Sequence, residues 1–122
     1  MDPLLATSLR PCVPSGADYA AARRFFAALG FVEEWEPDGY AGLANGGARF
    51  ILQRFDDATF ASNLMVRVDV PDLDAWWSAV EAKQLARAFP TARFKGPTVF
   101  PWGREAHVID LAGVCWHIGP RE

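Results

Sequence analysis

An internal repeat is the feature that most restricts what this chain can fold into. The first copy opens with a strand over 4–13, placed at an edge because Pro11 cannot donate to a ladder. Pro14-Ser15-Gly16 turns the chain. Asp18 then caps a helix over 18–29, where Tyr19, Ala22, Phe25, Phe26 and Leu29 recur at helical spacing and Gly30 ends the run. Three strands follow, Phe31 to Glu36, Tyr40 to Ala44 and Ala48 to Arg54, divided by the turn signals Pro37-Asp38-Gly39 and Asn45-Gly46-Gly47. Polar Asp56-Asp57-Ala58-Thr59 reads as a linker, and the order restarts. A strand from Asn63 to Val70 leads to Asp72, which caps a helix from Leu73 to Lys83 with Leu73, Trp76, Trp77 and Val80 on one stripe. A less regular stretch from Ala88 to Thr98 holds Pro90 and Pro97, and the strands Arg104 to Leu111 and Val114 to Ile118 meet at Ala112-Gly113. Asp18 in the first copy thus answers to Asp72 in the second.

The expected fold is α+β: one domain over 1–122 built of two βαβββ modules, 4–55 and 62–119. Each module would carry a helix on one face of a four-stranded sheet and leave the other face bare. The modules are therefore expected to associate as a curved mixed sheet around a cavity, and the chain to form a homodimer.

Composition supports a packed core and excludes several functions. Apolar types make up 51% of the 122 residues and charged types 22%, with five Trp and nine Phe. The net charge of −3 and the lack of a basic run argue against nucleic-acid binding. No run approaches ~18 apolar residues, so no membrane-spanning helix is expected. The Met1-Asp-Pro-Leu-Leu start carries an acid where a leader needs positive charge. Two cysteines, Cys12 and Cys115, make no disulfide framework, and a cytoplasmic protein with reduced thiols is the expectation.

Two blocks carry a family resemblance. Asp18-Tyr-Ala-Ala-Ala-Arg-Arg-Phe-Phe-Ala-Ala-Leu-Gly-Phe resembles the first helix and second strand of the vicinal oxygen chelate superfamily. Pro101-Trp-Gly-Arg-Glu, with Val108-Ile-Asp-Leu-Ala-Gly-Val-Cys-Trp-His, resembles the penultimate hairpin of its bleomycin-resistance branch. The resemblance spans most of the chain and implies paired βαβββ modules around a U-shaped cavity. It also implies one of several roles, among them glyoxalase, ring-cleaving dioxygenase, fosfomycin-modifying enzyme and antibiotic-sequestering protein.

By that resemblance, a metal enzyme would place one ligand on the first and last strand of each module. Those positions fall on Pro11, Gln53, Asn63 and His117. Proline offers no donor and neutral amides bind divalent ions poorly, so His117 alone has a metal-donating side chain. A His107–His117 pair with Glu105 is a second arrangement, but alternation does not tell the register of His107 against His117. No cofactor is expected. Gln53, Asn63 and His117 are instead read as a polar cluster orienting a ligand.

Trp35, at a strand end, and Trp102, in a loop, are candidates to stack on a flat ring, with Phe50 or Phe100 behind them. Trp116 alternates with His117 and should point into helix packing. Cys115 shares its face with His117, but i and i+2 on a strand stand roughly 6–7 Å apart, which puts a direct Cys–His bond out of reach. The reading is a bleomycin-resistance-like protein that binds a small, partly aromatic molecule without a metal. The alternative is a glyoxalase- or dioxygenase-like lyase or oxygenase with an atypical metal site.

Overall fold

The computed structural model describes residues 2–121, so Met1, part of the segment read for a leader, and Glu122 lie outside it. Its first unit runs β1 (Cys12–Pro14), α1 (Tyr19–Ala28), β2 (Val32–Trp35), β3 (Tyr40–Asn45) and β4 (Ala48–Gln53). After α2 (Ala58–Asn63), the second unit runs β5 (Met65–Val70), α3 (Leu73–Ala82), α4 (Leu85–Ala88), β6 (Arg93–Phe100), β7 (Gly103–Ile109) and β8 (Cys115–Pro120). The strand orders β1-β4-β3-β2 and β5-β8-β7-β6 are the same permutation, with the first strand parallel to the last in each. No described helix is long and apolar enough to cross a membrane.

Each module forms its own four-stranded mixed sheet, as the two βαβββ copies lead one to expect. The sheet edge formed by β1 is only three residues long and bounded by Pro11 and Pro14, which cannot donate outward. The same prolines explain why the expected strand over 4–13 shrinks to Cys12–Pro14. Ile51 N–H donates to the Pro11 carbonyl, and upstream of that bond the backbone makes no ladder. The preceding arm is exposed, Leu4 at 89% and Leu9 at 87%.

Both long helices start where the sequence places them. The carboxylates of Asp18 and Asp72 accept the backbone N–H groups of Ala21 and Ala75, each satisfying a donor that a first helical turn leaves free. The supposed linker at 56–59 repeats that device, since Asp57 accepts from Phe60 N–H and opens α2. Asn63 therefore ends a helix and does not start a strand. The irregular stretch at 88–98 contains α4 and the first part of β6. A register shift between Lys95 and Thr98 accommodates Gly96-Pro97, and the Trp77 indole lies against Gly96, where an added Cβ would come within 3.1 Å of it.

A shared aromatic core joins the units. Phe26 of α1 packs against Phe50 of β4 at 5.0 Å between ring centroids and against Trp116 of β8 at 5.3 Å, while Phe50 and Trp116 lie 5.1 Å apart. Alternation then settles the other faces. Phe50 and Leu52 of β4 and Ala106, Val108, Trp116 and Ile118 of β7 and β8 are buried in this core. Their neighbours Ile51, Gln53, Glu105, His107, Cys115 and His117 lie on the opposite faces of the two sheets.

Candidate functional site

The core-averted face of the second sheet concentrates the chain's polar chemistry. In register across its four strands stand Arg67 on β5, His117 on β8, His107 on β7 and Lys95 on β6. Both histidines of the chain are in this row, with ring centroids 4.4 Å apart. Beside them Glu105 is 4% exposed at its side chain and engaged by three neighbours. Its Oε1 lies 3.0 Å from His107 Nε2 and 2.9 Å from His117 Nδ1, and its Oε2 accepts from Arg67 Nη1 at 2.8 Å. An ionised carboxylate only accepts, so each ring carries a proton on the nitrogen that faces it.

Burial works against the Glu105 charge. The hydrogen bonds from His117 and then His107 outweigh it and hold the carboxyl at about 2, below its ordinary 4.5. Gly119 makes room for Arg67 to reach it, since an added Cβ there would meet Arg67 Nη2 at 2.5 Å.

His117 Nε2 lies 3.5 Å from Cys115 Sγ. The i, i+2 backbone spacing does not prevent this contact, because the two side chains lean together along the strand. Glu105, His117 and Cys115 thus form a chain of contacts. Burial, and then the charges of Glu105 and Asp110, push the Cys115 thiol up, away from the thiolate that nucleophilic attack requires.

An aromatic stack borders the cluster. Phe100 lies between Trp102, at 4.9 Å and 7° between planes, and His107, at 4.8 Å and 16°. Trp102 ends the stack and is 60% exposed. The β7–β8 connection is held by buried Asp110, whose Oδ1 accepts backbone N–H groups of Ala112, Gly113 and Val114 while Oδ2 accepts Trp116 Nε1 at 2.8 Å. The Asp-x-x-Gly signature is thus the turn that aligns β7 with β8.

No family model matches the chain, and no curated protein matches it in sequence. Solved structures do match in fold. The bleomycin-binding protein from bleomycin-producing Streptomyces verticillus, complexed with copper(II)-bleomycin, aligns at TM-score 0.74 and 25% identity over 97% of this chain and 100% of that one. A bleomycin resistance determinant encoded on the transposon Tn5 aligns at TM-score 0.79 and 19% identity over 96% and 99%. The fosfomycin resistance protein FosX from Mesorhizobium loti aligns at TM-score 0.67 and 10% identity over 94% and 92%. The fold is that of the vicinal oxygen chelate superfamily.

The four positions that the superfamily resemblance assigns to a metal do not fit one here. Pro11 has no donor side chain. Gln53 ends β4 in the first sheet, opposite Pro14 and Tyr40. Asn63 gives its amide to the Thr59 carbonyl of its own helix. The residue facing His117 on β5 is Arg67, a cation, and no side-chain hydrogen bond joins Gln53 or Asn63 to His117 among the described residues. Arg67 was legible as the polar partner of the alternating valines 66, 68 and 70, but a strand begun at Asn63 hides which of its residues meets His117.

Among the aromatic candidates, Phe50 is a core residue, because alternation turns it inward with Leu52. Trp35 lies flat over Gly42 in the first sheet, where an added Cβ would overlap the indole at 2.3 Å. Trp102 lies in the β6–β7 turn of the second sheet and reaches the histidine cluster through Phe100, which stacks on His107. A groove of about 910 Å³ runs from the Asn45–Ala48 hairpin past Arg67 and Asp69 to Trp76, and neither Gln53, Asn63 nor His117 lines it.

Proposed function

We propose that this chain is a non-catalytic binding protein for a small, partly aromatic molecule, in the manner of a bleomycin-resistance protein, and that this binding needs no metal. The exposed indole of Trp102, backed by Phe100 and His107, is the observation that carries the reading. A rigid stack presents a flat apolar surface whose ordering costs little on binding. Beside it, Arg67, His107, His117 and Glu105 supply a few polar groups to fix orientation. The similar solved structures described as bleomycin-binding support a ligand of this class. The cytoplasm suits a chain whose two cysteines are free.

A homodimer fits the exposed apolar side chains Leu4, Leu5, Leu9, Met65 and Val99, which a second copy would cover. Light scattering on the purified chain tests this, with twice the chain mass as the expected result.

The second reading is a glyoxalase- or dioxygenase-like enzyme with an atypical metal site, and the Glu105, His107 and His117 grouping is what favours it. The two readings separate in a fluorescence titration with bleomycin and a panel of planar heteroaromatic compounds in the presence of EDTA. The binding reading expects a saturable change at one ligand per chain that Trp102→Ala abolishes. A panel without any saturable response, or a response that requires added metal, overturns it.

A further inference from the structure

We propose that Glu105, His107 and His117 form a binding site for one divalent transition-metal ion of the zinc or copper class, sharing only His117 with the four positions that the superfamily resemblance assigns to a metal. In the sequence these three residues have no common register, which the ladder between β7 and β8 supplies, and the aromatic ligand does not depend on the ion.

The donor atoms are already grouped. One ligand atom from each residue lies within 4.8 Å of the others. The separations of 3.0 Å from His107 Nε2 to Glu105 Oε1 and 2.9 Å from His117 Nδ1 to the same oxygen are the spacings of neighbouring ligands around an ion. With metal–ligand bonds of about 2.1 Å, two ligands at right angles stand about 3 Å apart. The three residues sit on adjacent strands of one sheet, pinned by the Asp110 turn, so little chain ordering remains for the ion to impose. The superfamily-type positions contribute only His117, while Glu105 and His107 both come from β7.

Two imidazoles and one carboxylate suit a borderline ion and leave positions open for water or an exogenous donor. Arg67 holds Glu105 Oε2, which restricts the carboxylate to ligation through Oε1. Arg67 and Lys95 flank the row, so a hard ion such as Mg²⁺ or Ca²⁺, which wants several anionic oxygens, is disfavoured. Proton placement balances without net release from neutral rings. The proton on His117 Nδ1 moves to Nε2, where it donates to Cys115 Sγ, and the proton on His107 Nε2 moves to Nδ1. Cys115 then positions His117 from behind.

The test uses tag-free chain stripped with EDTA and dialysed, because a histidine tag would mask a site built from the chain's two histidines. Calorimetric titration with Zn²⁺ should show one ion per chain with micromolar or tighter affinity, and Mg²⁺ should show none. The Cu²⁺-loaded protein should give an electron paramagnetic resonance spectrum split by two nitrogens. His107→Ala should weaken Zn²⁺ at least 10-fold and leave one nitrogen in the copper spectrum, with an unchanged near-ultraviolet circular dichroism spectrum. Should that variant misfold, the nitrogen count on the unmodified protein still decides. Zn²⁺ affinity weaker than millimolar, or a nitrogen count of zero, overturns the site. The titration of aromatic compounds in EDTA reads the binding function separately, so either can fail alone.

Discussion

His107 and His117 stand directly opposite each other on β7 and β8, and both point a ring nitrogen at the same oxygen of Glu105. That relationship makes the carboxylate the centre of the polar face. It also sets its charge, because two convergent donors outweigh the burial that would otherwise neutralise it.

Acid should weaken the fold through this group. The Glu105 carboxyl is held at about 2 when folded, against 4.5 when free. A carboxyl lowered in this way stabilises fully above its unfolded value, and that contribution is lost as the pH falls through the folded one. Urea unfolding at a series of pH values should therefore show stability dropping from about 4.5 down toward 2. Glu105→Gln should flatten this limb and cost roughly 2–3 kcal/mol at neutral pH.

Gly119 should behave as part of the same network. A methyl group there collides with the Arg67 guanidinium, so Gly119→Ala should push Arg67 off Glu105. Breaking a charged bond to a buried carboxylate costs on the order of 1–3 kcal/mol. In an Arg67→Ala background the same glycine change should cost much less, and a double-mutant cycle by chemical denaturation reads the difference.

Asp110→Ala should be among the most damaging polar substitutions. It leaves three backbone N–H groups and the Trp116 indole N–H without their acceptor, in a turn that sets the β7–β8 register. The expected loss is about 3 kcal/mol or more. Equal thermal stability of the variant and the parent would contradict this role.

Phe50→Ala and Trp102→Ala should separate core from site. Phe50 is packed between Phe26, Phe31 and Trp116, so its truncation should cost roughly 3–5 kcal/mol. Trp102 is mostly exposed, so its removal should change stability by no more than about 1 kcal/mol while abolishing binding of a planar ligand. Thermal melts paired with ligand titrations on both variants give the comparison.

The repeat, the two long helices with their aspartate caps and the inward aromatic stripe of α1 were legible in the sequence alone, whereas Phe50, read as a cleft residue, proved to be core. Each depends on local periodicity or on a capping contact within a few residues. Trp116 was assignable to the core by the same alternation. Three local signals were misread for identifiable reasons. Asp57 looks like a linker residue until its carboxylate is seen capping α2, Pro97 concealed a bulged strand, and β1 begins only after Pro11, where a strand from residue 4 had been expected.

Only the tertiary structure decided what the polar face contains. Strand register across β5, β8, β7 and β6 is a product of long-range pairing and turn geometry, and one residue of slip exchanges one face for the other. The sequence offered Glu105, His107 and His117 as candidates without a common register. The ladder His107↔His117, held by the Asp110 turn, brings them onto one carboxylate oxygen, puts Arg67 where Asn63 had been expected, and leaves Gln53 in the other sheet.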